Sequence, residues 1–173
     1  MGLRHSRFWR VVRWPLTVLV GLVILIQLVP YGWWRENPPV VQDASWPDEE
    51  SRSIARESCY SCHSNETDWP FYAYVAPTSW LVRYDVQRGR EELNFSEWDK
   101  YSDEADDAVE MVREGDMPLD RYTWIHRDAA LSQAERDHLV DALMQMAGEA
   151  RDDDDNSGRG NRDDDNSGTG SGG

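Results

Sequence analysis

Lysine is nearly missing from this chain: Lys100 stands alone beside seventeen arginines. Cysteine is almost as scarce, with only Cys59 and Cys62. Two cysteines at that spacing would close a very small loop, so a disulfide framework of the kind that staples small secreted domains is disfavoured. There is no second C-x-x-C, which disfavours a structural zinc site, since such sites take four ligands and often two such pairs. No segment alternates apolar and polar residues over a strand's length. That removes the βαβ setting that a thiol-redox C-x-x-C expects. Basic residues form no stripe along the body of the chain, and with a net charge of -15 it is not built to bind nucleic acid.

What is present is acid, unevenly placed. Residues 1–35 carry five arginines and no acid, residues 36–150 carry 26 acids against ten bases, and the remainder carries seven aspartates against three arginines. An acidic, lysine-poor surface is what a protein working in very high salt tends to carry. Carboxylates keep the chain hydrated there, and salt screens their mutual repulsion. A halophilic origin is therefore expected.

The N-terminal arginines, Arg4, Arg7, Arg10 and Arg13, precede an apolar run over residues 14–34. Twenty-one helical residues would span ~30 Å, the hydrocarbon thickness of a bilayer. Trp14 at one end and Tyr31, Trp33 and Trp34 at the other fit interfacial anchors. The run offers no small-x-small cleavage site, so an uncleaved transmembrane helix is expected rather than a signal peptide. The positive-inside rule then leaves residues 1–13 in the cytoplasm and everything after Trp34 on the extracytoplasmic side of the cytoplasmic membrane.

Residues 35–47 read as a linker, broken by Asn37-Pro38-Pro39 and Trp46-Pro47. A helix is predicted from near Asp48 into Cys59, with Glu49 and Glu50 suited to its first turn. A second opens at Pro77-Thr78-Ser79 and ends at Gly89. A third is capped by Ser102, carries Ala105, Ala108, Val109 and Val112 at helical spacing, and ends before Gly115. Ser132-x-x-Glu135 is a capping box for the last helix, which carries Leu139, Leu143 and Met146 on one face and stops at Gly148. The fold class is thus all-α: a small helical domain over residues 48–148 after one N-terminal transmembrane helix. Residues 149–173, with Asp-Asp-Asp-Asn-Ser-Gly at 153–158 and again at 163–168, read as a disordered tail.

Within that domain lies Cys59-Tyr60-Ser61-Cys62-His63. C-x-x-C-H is the attachment signature of c-type haem. Positions i, i+3 and i+4 share one face of a helical turn, so two thioether links and an imidazole can reach one porphyrin. His63 is then the proximal iron ligand. The second axial position has four sequence candidates: Met117, His126, His138 and Met111. Met117 sits in Gly115-Asp116-Met117-Pro118, where Pro118 ends helical geometry. A thioether on a loop far from the motif is how Met/His cytochromes complete coordination. His126 is the alternative ligand, and an open or water-bound face is the third possibility. Met111 falls inside a helix and reads as packing; His138, beside Asp137, reads as exposed.

The chain also resembles a known family along most of this domain. The residues that carry the resemblance are Cys59-Tyr60-Ser61-Cys62-His63-Ser64-Asn65-Glu66-Thr67-Asp68-Trp69-Pro70; Ala76-Pro77-Thr78-Ser79-Trp80; Asp85-Val86; Gly89-Arg90; Leu93-Asn94-Phe95-Ser96 with Trp98; Gly115-Asp116-Met117-Pro118; Tyr122; His126; and Leu131-Ser132. They look like the bacterial and archaeal haem-binding domain family with a single C-x-x-C-H, over about residues 48–147. The resemblance implies a cytochrome c-like domain carrying one covalent haem c, with Cys59 and Cys62 as attachment residues and His63 as proximal ligand. The function expected is single-electron transfer by a membrane-anchored monohaem cytochrome rather than enzymic catalysis. Its partners would be membrane lipid through residues 14–34 and a redox protein the sequence does not identify. The rival readings are a haem enzyme or gas sensor with an open distal face, peroxidase-like, and a non-haem metal or thiol-redox ectodomain.

The charge distribution makes the fold salt-dependent. With -16 on residues 36–150, unscreened repulsion opposes compaction. Melting temperature should rise steadily as salt increases to molar levels; a flat response would remove the halophilic reading and leave only an acidic surface.

Overall fold

Asp48 sets the first turn of the domain: its side chain accepts the Ser51 N–H at 2.8 Å, so the helix Glu49–Ser58 begins with one of its orphan donors satisfied. A computed structural model of the chain describes residues 3–160. Among them every named element is helical, and the one bridge between extended segments is an isolated parallel pair, Gln42 with Glu97. The eight α-helices are α1 Leu3–Ile26, α2 Glu49–Ser58, α3 Tyr60–His63, α4 Thr78–Glu92, α5 Trp98–Tyr101, α6 Ala105–Glu114, α7 Asp120–Ile125 and α8 Gln133–Gly160. The all-α expectation holds.

The described chain packs into two compact units. One joins the chain up to Glu36 with Asp68–Gln87; the other joins Asn37–Thr67 with the chain from Arg88 onward. In the second unit, the apolar stripe of α6 (Ala105, Val109, Val112) is buried with Leu139, Val140, Leu143 and Met146 of α8 and Ile54 and Ala55 of α2. Cutting a fully buried leucine such as Leu143 to alanine would cost ~2–5 kcal/mol. Phe95, only 2% exposed, sits among Tyr60 (centroids 5.3 Å apart, stacked), Trp46 (5.2 Å) and Trp98 (6.0 Å). The capping box forms as read: Ser132 N–H donates to Glu135 at 2.8 Å and Glu135 N–H donates to Ser132 Oγ at 3.3 Å. Gly115, at φ 86°, ends α6 in the left-handed conformation that glycine adopts without penalty.

Several sequence expectations are corrected. No helix among the described residues is long and apolar enough to cross a membrane. The expected transmembrane helix over 14–34 does not form as one element. Its helix begins earlier, at Leu3, has Pro15 inside it and ends at Ile26; a separate 3-10 turn, Pro30–Trp33, follows. Pro30 is the reason: it has no N–H to continue the ladder and disfavours helix in the residue before it. The linker at 35–47 is tied down: Val41 and Gln42 both donate to Ser96 O, and Ala44 donates to Phe95 O at 2.8 Å. Helix α4 runs past Gly89 to Glu92. The predicted third helix starts as a 3-10 turn over Ser102–Glu104. Met111 is not core packing; it is 37% exposed on α6. The last helix runs through Gly148 to Gly160, and Arg151 pairs with Asp106 at 2.6 Å. The rest of the tail read as disordered, from residue 161 on, lies outside the described residues.

Helices α2 and α8 meet through His138, whose Nε2 lies 3.1 Å from Asp48 Oδ1. The Asp48 carboxylate raises the His138 pKa above 6.5, opposed by some desolvation. Asp48 itself is held below 3.8 by the Ser51 N–H first and by His138 second. The histidine contribution is therefore complete below pH 6.5 and lost as pH rises through the raised value. The aspartate contribution is present above pH 3.8 and lost as pH falls through the lowered one. Melting temperature should fall as pH rises above 6.5 in the parent, and His138→Gln should flatten that limb; an unchanged slope would mean that other groups set it.

Candidate haem-attachment site

The motif is built at a break between two helices. Cys59 closes α2 by donating its N–H to Ala55 O at 2.8 Å, and with φ -121° and ψ -42° it turns the chain into α3. Its carbonyl then accepts the N–H groups of Cys62 (3.0 Å) and His63 (2.9 Å). One carbonyl thus holds Cys59, Cys62 and His63 on a single turn. Neither sulfur is in a disulfide. Burial pushes the Cys59 thiol up to about 12, with Cys62 beside it as the lesser cause. A thiol held protonated is the opposite of the lowered pKa that redox-active cysteines need. Among the described residues no three His, Cys, Asp or Glu side chains cluster to hold a metal ion.

The His63 ring is fixed by its far nitrogen. Nδ1 lies 3.2 Å from the Leu93 carbonyl, an acceptor, so Nδ1 carries the proton and Nε2 keeps its lone pair. Burial lowers the His63 pKa, against the opposing pull of the Leu93 and Gly89 carbonyls and the Glu92 charge. The imidazole is therefore neutral, as an iron ligand must be. This is the second-partner arrangement that ligating histidines use to fix tautomer and orientation.

The segment after α4 supplies the frame. Phe95 N–H donates to His63 O at 2.8 Å, and Asn65 N–H donates to Ser96 Oγ at 2.9 Å. Asn94 donates to Asn65 Oδ1 at 3.0 Å, and Asn65 donates in turn to Pro39 O at 2.9 Å. Arg90 Nε donates to Ser64 O at 2.7 Å, while its Nη2 reaches Asn37 and Thr67. Asn65, Asn94 and Ser96 are all buried, so this network replaces water as partner for the loop after the motif.

Gly89 and Tyr122 carry roles at the site that spacing alone does not reveal. A Cβ on Gly89 would lie 2.6 Å from the Cys62 carbonyl oxygen and 3.1 Å from Cys62 Cβ, so only glycine lets α4 cross the motif this closely. The available signal was the glycine itself, which costs about 1 kcal/mol inside a helix and so implies a packing reason. Tyr122, on α7, pairs with the Ser61 hydroxyl and lies near both cysteines, and burial is the main cause that raises its pKa. His126 stacks on Tyr122 with ring centroids 4.5 Å apart and planes 21° apart. Met117 is half-buried and packs against the same core cluster as Cys59, its N–H donating to Met111 O at 3.1 Å. The two sequence candidates for the second axial position thus bracket α7, which lies on the motif. His138 is committed to Asp48 instead.

A sequence profile described as a haem-binding domain matches residues 21–145. The chain is 25% identical over 146 residues to cytochrome c peroxidase Ccp of Escherichia coli (strain K12). That alignment covers 76% of this chain and 31% of the peroxidase, so the chain spans about a third of that relative's length. No solved structure matches the chain significantly.

The contact at Gly89 yields a direct test. Gly89→Ala forces a methyl into the Cys62 carbonyl, and overpacking of this kind costs ~1–3 kcal/mol. Melting temperature should drop accordingly, and the yield of haem-loaded chain per polypeptide should fall. A variant with parental stability and loading would show that α4 moves aside freely.

Proposed function

We propose, from the premise that this chain belongs to the haem-binding domain family, that it is a monohaem c-type cytochrome that passes single electrons. The observation that carries the reading is the state of the motif: two thiols outside any disulfide on one turn, beside a neutral imidazole whose Nδ1 is committed to Leu93. These residues fit a covalent haem. Cys59 and Cys62 would hold it through thioethers, and His63 Nε2 would take one axial position. The haem would supply a one-electron iron couple. The protein's part is to bind and orient: Leu93 fixes the ring of His63, the Arg90 and Asn65 network fixes the loop, and burial keeps the imidazole unprotonated.

Met117 is proposed as the second axial ligand. It is half-buried against the cluster that also packs on Cys59, on a loop whose next residue is proline. A soft thioether favours the reduced metal and raises the potential. Membrane attachment belongs to the same proposal, through the apolar residues 14–34, with residues 1–13 inside and the haem domain outside. The anchor is then α1 and the turn after it rather than one helix over the whole run. A halophilic setting fits the acidic surface.

A second reading rests on Tyr122 and His126. Their stacked rings lie at the cysteine loop, and the similar Escherichia coli protein is a peroxidase, so an open distal face with His126 as an acid-base group is the alternative. Even then, a match to about a third of that enzyme's length suits an electron-supplying module as well as a reaction centre.

Two experiments decide. Denaturing the protein in acid and organic solvent should leave haem on the polypeptide, and freely released haem would exclude thioether attachment. Met117→Ala should lower the reduction potential and let carbon monoxide bind the reduced protein quickly, where the parent binds slowly or not at all. His126→Ala should do neither. A parent that already binds carbon monoxide readily moves the enzyme or sensor reading ahead; opening by the His126 variant alone means bis-histidine ligation with Met117 as packing.

A further inference from the structure

The unit made by the chain up to Glu36 and by Asp68–Gln87 differs from the rest in chemistry as well as in packing. It holds six arginines, no lysine and three carboxylates, a net charge of +3 within a chain of -15. It also holds six of the nine tryptophans. The other unit therefore carries -18.

Its apolar side chains are not confined to the N-terminal run. On the 3-10 turn Phe71–Tyr74 and on α4, Phe71 is 84% exposed, Tyr74 58%, Val75 50%, Leu81 48% and Tyr84 53%. These residues are bound to the end of α1. Gln27, one residue past the helix, donates from Nε2 to Val23 O (3.0 Å) and to Ala76 O (3.1 Å), and its Oε1 accepts the Ala76 N–H (2.9 Å). Every polar atom of that amide is matched within the protein, which is what a glutamine at the edge of hydrocarbon requires. Arg35 lies 4.1 Å over the Tyr74 ring and donates to the Gly32 and Ala73 carbonyls. Arg83 lies 4.9 Å over the Tyr31 ring and donates to Tyr31 O at 2.6 Å.

We propose that residues 71–84 are a second lipid-contacting element, seated in the headgroup layer of a phospholipid bilayer beside the end of α1. The inference rests on the membrane reading given above and extends it to a segment distant in sequence. Three observations select lipid as the occupant. Exposed Phe71, Tyr74 and Tyr84, with exposed Trp33 and Trp34 at the end of the apolar run and Arg35 and Arg83 over tyrosine rings, match the aromatic composition of a membrane interface belt. The aliphatic stems and aromatic faces lie beside guanidinium groups that can reach phosphate. The element is continuous with the proposed anchor, held to the end of α1 through Gln27 and Ala76, and the -18 of the other unit opposes pairing with a second copy.

The test places nitroxide labels on single cysteines in the haem-loaded full chain, where Cys59 and Cys62 are consumed as thioethers. The sites are Phe71→Cys, Tyr74→Cys and Tyr84→Cys, with Leu22→Cys on α1 and Glu110→Cys on α6 as references. The protein is reconstituted in vesicles of phosphatidylcholine with a minority of phosphatidylglycerol, and relaxation by oxygen is compared with relaxation by a water-soluble nickel chelate. Oxygen should dominate severalfold at 22, 71, 74 and 84, and the chelate at 110. Chelate-dominated signals at 71, 74 and 84 with an oxygen-dominated 22 would overturn this proposal and leave the anchor standing. A chelate-dominated 22 would remove the anchor and this proposal with it. Dipolar broadening between labels at 71 would place a second copy on this face and also overturn it. Tyr84, thirteen residues further along on α4, keeps the test decisive if a label at Phe71 perturbs the turn.

Discussion

The bond from His63 Nδ1 to the Leu93 carbonyl is the contact on which the site depends. It is one hydrogen bond, worth only ~0.5–1.5 kcal/mol net, yet it selects the tautomer. Without it either nitrogen of the ring could carry the proton, and the ring could turn. The rest of the second unit holds Leu93 in place. Gly89 lets α4 cross Cys62 at 2.6 Å from a would-be Cβ, so the helix ends where its last carbonyls face the imidazole. Phe95 then bonds back to His63 O while its ring is packed between Tyr60, Trp46 and Trp98. A local turn and a remote segment thereby become one rigid seat.

That seat is polar behind and apolar beneath. Asn65, Asn94 and Ser96 are buried and satisfied by one another and by the backbone of residues 39–44. A half-satisfied network there would be worse than an apolar core. The apolar side, from α2, α6 and α8, gives rigidity without a charge near the ring. The charge of Glu92 is felt at His63, and burial outweighs it.

Charge is segregated along the sequence, and the two units keep that division, with +3 on one and -18 on the other. The N-terminal arginines make the first unit basic, and the packing of Asp68–Gln87 with that end adds aromatic residues rather than positive charge. In water the acidic unit gains solubility and loses stability through self-repulsion.

The sequence alone determined the local chemistry: the C-x-x-C-H turn, the Asp48 and Ser132–Glu135 caps, the Gly115 stop and the helical stripes of α6 and α8. Each depends on neighbours within a few residues, where spacing and propensity act directly. Tertiary structure decided the rest. The extent of α4 beyond Gly89 follows from contact with Cys62, a neighbour distant in sequence. The helix through Gly148 continues where a glycine read as a stop. The apolar run divided at Pro30, and Gln27 found its partner at Ala76, neither of which a hydropathy pattern records. Tyr122 reached the cysteine loop only because α7 folds back on it. Spacing can place a ligand on a turn; which carbonyl orients it, and which side chain lies across it, depends on segments tens of residues away.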